Sequence, residues 1–166
     1  MVKVTSDIIA VGLLVAGIIT FSMFFQSETA RVKQQFEFIA EKIEKAPGEN
    51  HITAATKVAR VKEVITEPFR IHAPAYAFSR DTAPNELATF ILSKRSQYAK
   101  LSLKFYDFEI AFPEKNLAQV NLTESMEGQL QSGEFIQDFN ELKCQMQKIG
   151  GTWRLKEIEV VEVLRK

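Results

Sequence analysis

This 166-residue chain has little cysteine and histidine, one and two residues, and no formal net charge. A lone cysteine, Cys144, cannot close an internal disulfide, so cysteine usage does not fix the redox compartment. Cys144 with only His51 and His72 is also too small a donor set for a cysteine/histidine metal site, and no metal or cofactor is implied. Twenty-one lysines and arginines balance twenty-one aspartates and glutamates. The chain therefore lacks the basic footprint of a broad nucleic-acid surface, and no nucleic acid is expected as a partner. It also lacks any catalytic motif.

What is present is a core. Apolar residues make up 46% and charged residues 25%, both ordinary for a globular domain. Thirteen phenylalanines and one tryptophan supply aromatic bulk for a domain of roughly 140 residues.

One long uncharged run stands apart, from Ile8 to Phe25 between Asp7 and Gln26. As a helix at about 1.5 Å per residue it is roughly 27 Å long, near the ~30 Å of a bilayer core. A buried core helix of that length would carry a polar face, and this run has none. The expectation is a single-pass membrane segment over 8–25, retained as a signal-anchor. A cleaved signal peptide is the competing reading. The run is longer than a signal core, and Glu28 stands where a small residue is needed before a cut after Ala30. Gly12 and Ala16 form a small-xxx-small pair, read here as the ordinary small-residue content of such a run. Lys3 on one side and Arg31 and Lys33 on the other give no clear orientation. The domain is expected outside the cytoplasm. This divides the chain into 1–26, tail and anchor, and 27–166, the folded domain.

The domain opens with helical periodicity. Val32, Phe36, Ile39 and Ile43 recur at helical spacing, and Pro47-Gly48 stops the helix. Asn50 is placed to cap a second helix with the stripe Ala54, Val58, Val61 and Ile65, ended by Pro68. Two helices joined by a short turn should pack as an antiparallel pair. Phe69 to Ala73 reads as a short strand, and Pro74 to Arg80 as a loop or a second short strand. Asp81 or Thr82 should cap a third helix with Pro84 in its first turn. Its expected buried face is Leu87, Phe90, Ile91 and Tyr98. Lys94-Arg95 suits the C-terminal end of the helix dipole and is not read as a phosphate site.

From Leu101 onward the period becomes two. Leu101, Leu103 and Phe105 alternate, and then the apolar side passes to Tyr106, Phe108, Ile110 and Phe112. A slip of one residue at Tyr106-Asp107 is what a β-bulge produces. Pro113 to Asn116 is a turn, Ala118, Val120 and Leu122 lead a strand that fades towards Gly128, and Gln131 to Gly133 is the next turn. Phe135 to Ile149 follows, with Leu142, Cys144 and Met146 on one face, so Cys144 reads as a core cysteine. Gly150-Gly151 is a hairpin signal leading to Trp153 and Leu155, with a further slip near Ile158 to Val161. Strands in direct succession form a curved antiparallel meander. Asn121-Leu-Thr123 matches a glycosylation sequon but falls inside a strand.

The order of two helices, a short strand region, a third helix and four long strands resembles the nuclear transport factor 2-like superfamily. That group includes ketosteroid isomerase and the SnoaL-like polyketide cyclases. His72-Ala-Pro74 and the closing stretch Lys148-Ile-Gly-Gly-Thr-Trp-Arg-Leu155 resemble its local patterns. The resemblance covers Ser27 to Leu164. It implies an α+β fold with three helices packed on a curved, cone-like, four-stranded antiparallel sheet plus short strands, often with a pocket and often dimeric through the sheet. It implies no single function, because this superfold hosts enzymes, binders and scaffolds. An isomerase-like site needs a carboxylate base and an oxyanion hole of tyrosine plus a protonated acid. The residues nearest to that pattern are Asp107 and Tyr106, with Tyr76 or His72. The competing reading leaves Asp107 at the bulge, facing solvent and inert. The pocket candidates are Tyr106, Asp107, Trp153 and Phe36, none of them assigned a catalytic role.

Two functions follow as expectations. The first is a membrane-tethered, non-catalytic binding or assembly module. Its partners would be the lipid bilayer and either a second copy in a homodimer through the sheet or a membrane protein. The alternative is a small-molecule or lipid-binding pocket protein or SnoaL-like enzyme, favoured if Asp107 or Tyr106 faces inward beside a second polar group.

Overall fold

The computed structural model describes residues 27–74 and 77–164, with side chains described to residue 161. Contacts divide the chain into two compact units, Met1–Val32 and Lys33–Lys166. Of the first, residues 27–32 are described. They are helical, and Arg31 Nη1 donates to Glu28 Oε1 at 3.2 Å.

Helix α1 spans residues 27–43. In the second unit it buries Phe36, Ile39 and Ala40, a stripe at helical spacing. The chain leaves the helix through Lys45, whose N–H donates to Leu101 O at 2.8 Å while Leu101 N donates back at 3.0 Å. Asn50 caps α2 (His51–Ala59) by accepting from Thr53 N at 2.8 Å. A 3₁₀ turn, Arg60–Val64, then tightens the chain into β1 (Ile65–Ala73). The second helix is thus shorter than its apolar stripe implied. Val61, Val64 and Ile65 are buried, but Ile65 is already in the strand, and Pro68 lies within β1.

Strand β2 (Phe78–Thr82) pairs antiparallel with β1, from Phe69↔Thr82 to Ala73↔Phe78. This pairing takes Asp81 and Thr82 away from their expected role as helix caps. Asp81 lies opposite Arg70, which donates to it at 2.8 Å, and Ala83 holds the N-cap position of α3 (Pro84–Ser96) without a side-chain bond. The expected buried face of α3 is also corrected. Phe90 is 52% exposed, Tyr98 belongs to the next strand, and the buried residue of the helix is Arg95. The Arg95 guanidinium donates to Ile43 O at 2.7 Å, Glu44 O at 2.6 Å and Glu49 Oε1 at 2.6 Å. It meets the last carbonyls of α1, which the helix itself leaves unpaired.

Strands β3 (Tyr98–Glu114), β4 (Leu117–Leu130), β5 (Phe135–Ile149) and β6 (Thr152–Leu164) form the meander. The sheet order is β2-β1-β6-β5-β4-β3. Among the described residues the sheet therefore has six strands, where four long ones plus short strands were expected, and it is not wholly antiparallel, because β1 runs parallel to β6. That pair joins segments some ninety residues apart in the chain, and local periodicity carries no information about it. The expected bulge is present: the β3–β4 register shifts between Tyr106 and Glu109, with Asp107 at φ 55°. Further shifts on β5–β6 bend the sheet, which is curved and not closed. Gly150 and Gly151 both have positive φ, 59° and 85°, as a two-residue hairpin with matching twist requires.

The membrane assignment is corrected here. Among the described residues no helix is long and apolar enough to cross a membrane. The expected span, 8–25, lies outside the described residues. An uncharged run of sufficient length makes a span possible and does not make one, so the single-pass, signal-anchor and extracytoplasmic expectations are withdrawn.

Candidate functional site

The helix-covered face of the sheet is apolar until it reaches one row of polar groups. On β4 the inward positions run Ala118, Val120, Leu122, all buried, and then Glu124. On β5 they run Met146, Cys144, Leu142, all buried, and then Asn140 and Asp138. The ladder sets Glu124 opposite Asn140 on one side and opposite Phe105 of β3 on the other. Asn140 Nδ2 donates to Glu124 Oε2 at 2.9 Å. Asp138 sits opposite Met126, diagonal to Glu124 and roughly 7–8 Å away in an antiparallel ladder. Above this row the Phe36 ring meets Phe105 and Phe108 edge-on, with centroids 5.4 and 5.5 Å apart.

Burial holds the Glu124 carboxyl above the usual glutamate range, and the negative charge of Asp138 pushes it further up. The bond from Asn140 acts the other way and does not win. Glu124 nevertheless keeps some accessible surface, unlike Val120 and Leu122 in the same file. The site is therefore at the edge of the closed core, where Met126, Ile136 and Asp138 are also partly exposed. Asn140 Oδ1 is buried, and no donor reaches it among the described residues. Cys144 is 1% exposed, and burial, with a smaller contribution from Glu124, raises its thiol far out of the range in which a thiolate forms. A desolvated carboxyl beside an amide is equipped to hold a neutral hydrogen-bonding group and to take or give a proton.

The structure does not bring the four sequence candidates together. Phe36 is 1% exposed and covers the Glu124 row. Trp153 is buried further along the sheet, its ring 5.6 Å from Phe112 with Lys148 over it. Tyr106, 36% exposed, pairs with Thr123. Asp107 is exposed and lines a shallow groove of about 410 Å³ on the outer sheet face with Glu109, Asn121, Thr123, Glu141 and Lys143. Its contact is a long one, from Thr123 Oγ1 at 3.5 Å. His72 lies on β1 between Ser79 and Glu159. Tyr76 lies outside the described residues. No group of three or more histidine, cysteine, aspartate or glutamate side chains is placed to hold a metal ion among the described residues.

Glu124 and Asn140 escape the sequence reading because β4 reads as fading towards Gly128, and on β5 the face is taken from Leu142, Cys144 and Met146 without being continued to Asn140. The signal was nonetheless there. Glu124 is in phase with Ala118, Val120 and Leu122, and Asn140 with Leu142, Cys144 and Met146. A polar residue in phase with the buried face on each of two adjacent strands marks a polar row inside the fold.

Neither a protein-family model nor a curated protein matches the sequence. Solved structures do match it. The Kfla4162 protein from Kribbella flavida superposes with a TM-score of 0.67 at 10% identity, over 84% of this chain and 95% of that one. LinA does so at 0.67 and 9% identity, over 87% and 90%. The hexachlorocyclohexane dehydrochlorinase LinA-type3 from Novosphingobium barchaimii does so at 0.65 and 7% identity, over 86% and 92%. At such identities the likeness is one of fold alone.

Proposed function

We propose that the chain is a small-molecule pocket protein of the SnoaL-like kind, with Glu124 as its acid–base group and Asn140 as the amide that orients it. The observation that carries this reading is the Glu124–Asn140 pair itself. A carboxyl placed in phase with the buried face, hydrogen-bonded and pushed towards its neutral form by burial is costly to keep for packing alone.

The reading replaces the membrane-tethered assembly module. Among proteins of similar fold is one whose name is a dehydrochlorinase, an activity that removes hydrogen chloride and so requires a proton to leave carbon. Glu124 is suited to such proton transfer. In its ionised form it is a stronger base than an exposed carboxylate, and in its protonated form it is a ready donor in an apolar surrounding. Phe36, Phe105 and Phe108 would bind the apolar part of the ligand.

Native mass spectrometry of the full chain, purified gently from its own host, tests this beside Glu124→Leu. A small molecule retained by the first and lost from the second is the expected result. An empty chain that also shows no saturable binding of apolar aromatic probes would overturn it.

A further inference from the structure

Asn140 spends its Nδ2 group on Glu124 and leaves its Oδ1 buried without a donor among the described residues. An orphaned buried acceptor is costly, and a partner that supplies an N–H or O–H recovers that cost. The next row along the same face brings a second carboxyl, Asp138 opposite Met126 and Leu103, while the remaining neighbours on this face, Phe105 opposite Glu124 and Leu122 opposite Leu142, are uncharged. The site thus offers one free acceptor, one carboxyl and an acidic neighbour, within an apolar frame.

We propose that the ligand is an uncharged, largely apolar molecule whose hydroxyl or N–H donates to Asn140 Oδ1, and that carboxylate ligands are rejected. This rests on the pocket reading above and adds the ligand's chemical class to it. Glu124 keeps an accessible edge, so the ligand enters past it and displaces the side chains that cover Oδ1. A carboxylate entering by that route would meet Glu124 and Asp138. Lys33, whose ammonium lies 5.3 Å from the centre of the Phe108 ring, is the nearby group that would work against the rejection.

Three matched probes test the inference by calorimetry on the full chain at neutral pH: 2-naphthol, which donates, 2-methoxynaphthalene, which cannot, and the anion 2-naphthoate. Naphthol is expected to bind about 10-fold more tightly than methoxynaphthalene, the worth of roughly one buried hydrogen bond. Naphthoate is expected to bind at least about 10-fold more weakly than naphthol. In Asn140→Leu the naphthol preference should vanish. The ranking on the unaltered chain stands alone if that variant does not fold. Equal binding of all three leaves the pocket intact and overturns the inference. So does tighter binding of methoxynaphthalene, which would mean a donor faces the ligand, or of naphthoate, which would mean Lys33 dominates. If none binds at millimolar concentration, the pocket reading falls and the inference falls with it.

Discussion

Replacing Glu124 by glutamine should make the protein more stable at neutral pH and leave it unchanged in acid. The carboxyl is held above the ordinary glutamate range, chiefly by burial and also by Asp138. The folded chain therefore binds the Glu124 proton more tightly than the unfolded chain does. Stability is fully retained below about pH 4, where both states are protonated. It falls as pH rises through the unfolded value and levels off once the pH has passed the raised folded value. Each pH unit between those two values costs about 1.4 kcal/mol. Glutamine carries no such penalty, and its amide oxygen still accepts from Asn140 Nδ2, which now donates at 2.9 Å to Glu124 Oε2. Urea unfolding of both proteins at pH 4, 6 and 8 isolates this one group, because every other titration is shared. The difference should be near zero at pH 4 and should grow in favour of glutamine through pH 6 to pH 8, by about 1.4 kcal/mol for each pH unit that separates the folded from the unfolded value. For a domain of this size each such unit is a rise in Tm of several degrees. A glutamine variant less stable than the parent at pH 8, or a difference independent of pH, would show that Glu124 is well solvated in the fold and would remove the physical basis of the site.

Arg95→Met should cost about 1.5–3 kcal/mol in denaturant unfolding, because it removes the donors to Ile43 O, Glu44 O and the 6%-exposed Glu49 carboxylate and leaves the last two to Lys57 alone; a loss below about 1 kcal/mol would refute the capping role. Gly128→Ala should cost about 1–3 kcal/mol, since a Cβ there would lie 2.6 Å from Tyr98 Cδ1. In a Tyr98→Ala background the same change should be nearly neutral, and equal costs in both backgrounds would show that the ring is not what excludes a side chain. Cys144 should resist iodoacetamide in the folded protein and react only at the rate of unfolding, because burial leaves it both covered and protonated; rapid native-state labelling followed by mass spectrometry would contradict that burial.

The parts of the fold legible beforehand were those that depend on neighbours in sequence. The Asn50 cap, the Gly150-Gly151 turn and the bulge at Asp107 each follow from residues within a turn or two of one another. Asp81, Thr82 and Phe90 were misplaced because their surroundings are set at a distance. Asp81 answers to Arg70 across a strand pair, and Phe90 ceded the buried position on α3 to Arg95. Arg95 reads as a surface cation in sequence. It is buried because the end of another helix presents carbonyls to it.

By itself, then, the sequence determined the alternation of the four long strands, their turns, and the absence of a metal-binding or nucleic-acid-binding composition. These are properties of single segments and of totals, and side-chain period needs no partner to be expressed. Only the tertiary structure decided that β1 runs parallel beside β6, that Arg95 closes α1, and that Glu124 meets Asn140. Strand pairing and register are set by long-range closure, where burial of one face and the bulges choose among alignments that look alike along the chain. The candidate site consists of two residues whose meaning comes only from lying opposite each other, so it became visible when the ladder did.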